Sequence, residues 1–357
     1  MAVANTPLLP TAAQEDGSAA DLGVMSISLK DVVKPRLGFQ GALQGAGTPN
    51  QAGIGGFLPI SVSENSVFFA DVLANVNFAD REGYSSIINT DVAGTTISTS
   101  SRLGYRWLNG DRSWMYGLNA GYDSRPMNTG GTDTGIIVSG TEQSAFFQQV
   151  AVNAEAVSND WDINAYALLP IGDTEQWLNW FYQGGSLDTY GLDVGYFITP
   201  ELNASVGYYY QNGDVGEADG SGVRGRLAYE ISSGLTAGVN MSYDEAFETR
   251  FSADVQVRFG GASTKAKRKA VQQQPLINSL TSTPTNRDVR VHDRDAYHRG
   301  PLFLNRPVLK TDGKFVQTYD LCFMYGLPPG CTVRKDSPYN FKTGRYESVA
   351  KWRKDHQ

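Results

Sequence analysis

Apolar and polar residues alternate with a period of two over most of the first 260 positions. In the run 102–124, Leu103, Tyr105 and Trp107 fall on one face and Arg102, Gly104 and Arg106 on the other. Beyond the polar turn Asn109–Arg112, Trp114, Tyr116, Leu118, Ala120 and Tyr122 again share a face. Such alternation puts successive side chains on opposite sides of a strand. The polar side carries arginines and small residues, and the apolar side is closed by Trp and Tyr. That pattern fits a lipid-facing surface bounded by interfacial aromatics better than a water-soluble sandwich.

The same reading predicts strands near 36–43, 52–60, 68–78, 102–108, 114–124, 145–157, 161–169, 190–198, 202–210, 223–231, 235–243 and 251–259. About twelve antiparallel strands, an even number, predict an all-β transmembrane barrel. The inward faces collect the polar residues Asp71, Arg102, Arg106, Asn119, Asp123, Glu155, Asp162, Asp193, Arg224, Arg226, Asp254 and Arg258. Connections near 61–65, 109–113, 158–160, 199–201 and 232–234 are short, and those near 79–95, 124–144, 170–187 and 212–221 are long. Alternating lengths predict short turns on the periplasmic side and long loops outside. Residues 175–182 are assigned to an outer loop, because a thirteenth strand would break that alternation.

Composition agrees: 39 Gly, 18 Tyr, 16 Phe and 6 Trp suit many short strands and turns. No stretch reaches the roughly 20 apolar residues of a spanning helix, in keeping with a mean hydropathy of −0.32. Charge divides the chain. Residues 1–261 hold 12 Lys+Arg against 29 Asp+Glu, a net of −17, whereas residues 262–357 hold 18 against 8, a net of +10. The predicted organisation is an N-terminal polar segment (1–35), an acidic barrel (36–261) and a basic, Pro-containing, largely irregular C-terminal extension (262–357).

Several runs resemble a known family. Gly53–Pro59 and Val67–Asp71 precede Leu103-Gly104-Tyr105-Arg106 and Trp114-Met115-Tyr116-Gly117-Leu118-Asn119-Ala120-Gly121-Tyr122-Asp123. Asn153-Ala154-Glu155, Trp161–Tyr166, Leu169-Pro170 and Val257–Gly260 follow. In this order they resemble the β-domain of inverse autotransporters, the intimin and invasin group, over roughly residues 36–260. The resemblance implies a twelve-stranded barrel whose downstream chain passes through the pore to the cell surface. It implies the outer membrane of a Gram-negative-type bacterium, contact with outer-membrane lipid, and assembly by a barrel-assembly machinery. The family's serial immunoglobulin-like domains have no counterpart, since residues after 260 lack evenly spaced alternating strands.

The start, Met1–Pro7, has no charged n-region and no apolar core, whereas Ala2-Val3-Ala4 resembles the small-residue end of a cleaved signal; a truncated start is expected. His292, His298 and His356 all lie in the extension, so a histidine-dependent triad within the barrel is not expected. Asp160 and Asp162 read as a turn residue and a lumen residue. No cofactor, metal, nucleic acid or catalytic role is predicted, and any surface ligand is unspecified. The inward charges allow a second reading, a porin-like diffusion channel or a structural outer-membrane protein. Cys322 and Cys331 flank a Pro-Pro-Gly turn and are predicted to form a disulfide in an oxidising compartment, with two unpaired thiols as the alternative. Lys265, Lys267, Arg268 and Lys269 follow the last strand closely. Their charge opposes that of the lumen, which predicts that the extension turns back into the pore.

Overall fold

Twelve strands close into an antiparallel barrel in the computed structural model: β1 (Arg36–Ala42), β2 (Gln51–Val62), β3 (Ser66–Asn77), β4 (Thr96–Leu108), β5 (Met115–Thr129), β6 (Gln143–Val157), β7 (Trp161–Ile171), β8 (Asp188–Thr199), β9 (Leu202–Asn212), β10 (Gly220–Ser232), β11 (Leu235–Asp244) and β12 (Glu248–Phe259). The structure describes residues 28–295 apart from breaks at 44, 46, 82–84, 89, 130–131, 134–135, 138–142, 179–181, 214–217, 233 and 261–274, and adds four short strand segments between 306 and 346. Each barrel strand pairs with its sequence neighbours, and β1 pairs with β12 from Leu37↔Phe259 to Ala42↔Asp254, which leaves no free edge. The two faces expected from the alternation are visible along β3, where Val67, Phe69, Asp71, Leu73, Asn75 and Asn77 are buried and the residues between them are more exposed.

The outward face is apolar around the whole barrel. Leu58, Val72, Leu103, Leu118, Val206 and Val239 are among the large hydrophobics left exposed. Aromatics ring its two ends. Near the turns, Trp107 packs on Tyr105 and Tyr116 with centroids 5.7 and 5.9 Å apart, and Trp161 meets Tyr196 edge-on at 5.0 Å. Near the loops, Tyr190 faces Tyr210 across β8 and β9. Most strands are 10–15 residues long. At about 3.3 Å per residue and a tilt near 40°, that length crosses a hydrocarbon layer.

Three register shifts, at Pro59/Ser61, Phe197/Thr199 and Glu230/Ser232, all fall at the turn end. There a bulge accommodates Pro59, which has no amide to give to the ladder. The loop-side connections depart from the predicted length pattern in one place: β11 and β12 are joined by only three residues, Glu245–Phe247. Of residues 175–182, those described lie outside the barrel wall, as expected, but not as irregular loop. Glu175–Trp177 and Tyr182–Ser186 are short strands that pair antiparallel.

Where it is described between 275 and 295, the extension is irregular over 280–290 and carries a short regular element on either side. Helix α2 (Pro275–Ser279) follows the short N-terminal helix α1 (Leu29–Val32), and a further strand, β13 (Val291–Asp295), pairs antiparallel with Tyr182–Ser186. Leu276, Ile277 and Leu280 share a buried cluster with Leu29, Val33, Phe57, Val67, Phe69, Leu108, Met115 and Val157, which closes the turn end of the barrel. Val289 and Val291 pack with Ile87, Val92, Met127, Phe147 and Leu178 at the loop end. Residues 275–295 therefore run through the lumen from one end to the other.

Candidate functional site

The lumen is organised around ion pairs between strands, and the traversing segment uses what those pairs leave over. On β4, Arg102 and Arg106 point inward because the alternation gives Leu103 and Tyr105 to the outside. Arg102 forks onto Asp123 of β5 at 2.7 and 2.8 Å, with both side chains fully buried. Its second terminal nitrogen also donates to the carbonyl of Asn286 at 3.2 Å. Arg106 forks onto Glu155 of β6 at 2.8 and 3.1 Å and donates to the Ser282 carbonyl at 2.7 Å. Its guanidinium lies 4.6 Å from the Phe69 ring centroid. Room for this comes from Gly104, where an added Cβ would fall 2.4 Å from Phe69. Asn119 donates to Glu155 at 3.1 Å and accepts from Asn153 at 3.1 Å.

The extension supplies the partners the wall lacks. Asp71 pairs with Arg287, whose Nε donates to Ser100 at 2.7 Å. Asp244 pairs with Arg290 at 3.1 Å and accepts from Tyr209 at 2.5 Å. The Arg290 guanidinium lies over the Tyr209 and Phe247 rings at 4.6 and 5.1 Å. Asp288 accepts from Gln51 at 3.0 Å, and Arg125 donates to the Val289 carbonyl at 3.0 Å. At the loop end, Asp293 accepts from the backbone amides of Ile88 and Thr90 at 2.9 and 2.7 Å, a contact that ties the segment to the first long loop. In that loop Asp80 accepts from the amides of Ser86 and Val92 at 2.9 Å each. Burial pushes its carboxyl up nonetheless, against those two donors and the Arg125 charge.

The opposite wall is less filled. Arg224 forks onto Asp193 and donates to Asn286 at 2.8 Å, and Arg226 forks onto Asp254 and donates to Asn240 at 2.8 Å. The side chains remain 33% and 18% exposed in the first pair, and 31% and 15% in the second. They line a cavity of about 580 Å³ bounded mainly by β7–β12 and β1, with Asn75 of β3, Glu155 of β6 and residues between 275 and 288 closing the other side. It opens toward the turns at Pro200, Glu201 and Gly234. Asp162 and Arg258 also face it.

All twelve inward residues named from the sequence thus lie on the lumen side, but they are not equivalent. Asp71, Arg102, Arg106, Asn119 and Asp123 are buried, and Glu155, Asp162, Asp193, Arg224, Arg226, Asp254 and Arg258 are half-buried. Alternation did not reveal Arg125, Tyr209, Asp244, Arg287, Asp288, Arg290 or Asp293. The signal for the last four was the short alternation Val289, Val291 between charged residues. Lys265, Lys267, Arg268, Lys269, Cys322 and Cys331 lie outside the described residues; among the described residues, the ion pairs between extension and barrel are those of Arg287 and Arg290. Among the described residues, no cluster of His, Cys, Asp and Glu is arranged to hold a metal.

No family model matches the chain, and no curated protein does. Solved structures match its fold. One comes from work on the mechanism behind the in-meso crystallization of membrane proteins, with 12% identity, a TM-score of 0.53, and coverage of 73% of this chain and 99% of that one. The COG4313 outer membrane channel from Pseudomonas putida F1 matches at 11% identity and a TM-score of 0.38, over 63% of this chain and 93% of that one. Outer membrane phospholipase A from Escherichia coli matches at 13% identity and a TM-score of 0.33, over 68% and 98%. The chain is a closed, twelve-stranded antiparallel β-barrel of the kind found in outer-membrane proteins.

Proposed function

We propose that this protein is an outer-membrane barrel that anchors its own C-terminal segment across the lumen and presents the downstream residues on the loop side. The supporting observation is the path of residues 275–295, from the cluster at the turn end to β13 at the loop end. The membrane part of the proposal rests on the apolar outer face with its aromatic rims, because a soluble surface rarely carries contiguous apolar area beyond a few hundred Å². The short turns then face the periplasm, and assembly falls to a barrel-assembly machinery. This is the arrangement that the resemblance to inverse autotransporters implies. No catalytic step is assigned.

An epitope inserted at the C-terminal end tests the proposal. Antibody should label intact cells; labelling only after the outer membrane is permeabilised would overturn it. The second reading, a porin-like channel, is favoured by the cavity along β8–β12. Steady conductance of the full chain in planar bilayers would support that reading, whereas an anchor with a filled lumen is silent until residues 275–357 are removed.

A further inference from the structure

The lumen arginines divide into two kinds. Arg102, Arg106, Arg224, Arg226, Arg287 and Arg290 each meet a carboxylate, and Arg125 donates to backbone carbonyls. Arg36 and Arg258 do neither. The Nε of Arg36 is buried without a hydrogen-bond partner, and Arg258 donates only to Gln256, at 3.3 Å, among the described residues. The two belong together. Arg258 stands opposite Gly38 across the β1–β12 seam, and Arg36 is two residues from Gly38 on the same face, so the side chains are diagonal neighbours of like charge. Two carboxylates stand nearby, Glu230, engaged by the Gly234 amide at 3.2 Å, and Asp71, paired with Arg287; neither forms an ion pair with Arg36 or Arg258.

Both arginines line the cavity toward its turn-end mouth, beside Gln40 and Gln256. Holding two guanidiniums side by side in a partly desolvated wall is unfavourable, and the rest of this lumen avoids it by pairing. An oxyanion bridging them would remove the repulsion and accept from both forks. We propose that Arg36 and Arg258 bind a small oxyanion, the phosphate or carboxylate group of a solute that enters the cavity from the turn end. Only the compartment of that solute, the periplasm, rests on the proposed function.

The test uses the full chain refolded in detergent in a buffer free of oxyanions, with the folded fraction followed by heat-modifiable gel mobility. Inorganic phosphate should raise the unfolding midpoint and saturate with a Kd of about 1 mM or tighter, while sodium chloride of equal ionic strength should not. An acetate titration shows whether a lone carboxylate suffices. Replacing both arginines (Arg36→Gln with Arg258→Gln) should weaken phosphate binding at least about tenfold. Arg112→Gln, in an exposed turn, should leave it unchanged. Arg258→Lys keeps the charge and loses the fork, and should weaken binding by a smaller factor, so the outcome does not hang on whether the double variant refolds. No phosphate-specific shift in the wild type, or an equal shift in the double variant, would overturn the site. Binding in detergent is independent of where the C-terminal residues emerge, so this proposal and the anchor reading fail separately.

Discussion

The two walls of the lumen are built from the same kind of pair and behave differently. On the β3–β6 wall, Arg102 and Asp123 are sealed from solvent, and the Asn286 carbonyl of the traversing segment lies against Arg102. On the β8–β12 wall, Arg224–Asp193 and Arg226–Asp254 border an open cavity. A sealed ion pair is not a large net source of stability, since desolvation offsets much of its Coulomb energy. Removing one partner, however, strands the other charge. The traversing segment covers Arg102–Asp123 on the first wall and forms its own sealed pair, Arg290–Asp244, at the loop end of the second, so barrel stability is tied to the segment there and least at the open pairs Arg224–Asp193 and Arg226–Asp254.

The largest effect should come from stranding a sealed charge: Asp123→Ala leaves Arg102 buried and uncompensated, and should cost about 3 to 5 kcal/mol in denaturant unfolding of the refolded barrel. Arginine on the outer face should come next. Val206→Arg, Val239→Arg or Val255→Arg should each cost about 2 to 4 kcal/mol, whereas arginine at the lumen-facing Ser205 or Asn240 should cost much less. Equal losses on both faces would refute the assignment of sides. The smallest effect belongs to the open wall, where Asp254→Asn keeps a hydrogen-bond acceptor for Arg226 beside solvent and should cost about 1 kcal/mol or less. A cost there comparable to that of Asp123→Ala would erase the contrast between the walls.

The strands and their faces were legible because one period governs them: every second side chain meets lipid or lumen, and the residues of β3, β4 and β8–β12 obey that rule. Legibility stopped where the rule does. Past Asp123, Arg125, Met127 and Thr129 of β5 stay buried on the inward face, but that face now carries the apolar Met127 and the outward Ser124 is buried too, so the polar-in, apolar-out pattern no longer marks the strand. The even count and the short turns were likewise readable, but the three-residue Glu245–Phe247 connection was not, since nothing in its composition distinguishes it from a longer loop. Opposite charge suggested attraction between barrel and extension, but Lys265, Lys267, Arg268 and Lys269, which carried that expectation, lie outside the described residues, and residues 275–295 hold as many Asp as Arg. Which arginine meets which carboxylate is decided by register and by where the returning chain turns, and neither is encoded in charge counts. The expected disulfide between Cys322 and Cys331 remains an expectation from the sequence.

The central claim, that the extension crosses the barrel from turn end to loop end, is tested most directly by a disulfide at the exit. Ser186 faces Val291 in a pair flanked by the Leu187 amide to Arg290 carbonyl bond of 3.0 Å, which makes 186 and 291 a non-hydrogen-bonded pair with closely spaced Cα atoms, suited to a disulfide. In a chain with Cys322→Ser and Cys331→Ser, the double replacement Ser186→Cys with Val291→Cys should yield a crosslinked, reductant-sensitive band in the folded barrel. The single Val291→Cys variant should resist thiol reagents until the barrel is unfolded, since Val291 is fully buried. Absence of the crosslink, together with free labelling at position 291 in the folded protein, would contradict the account.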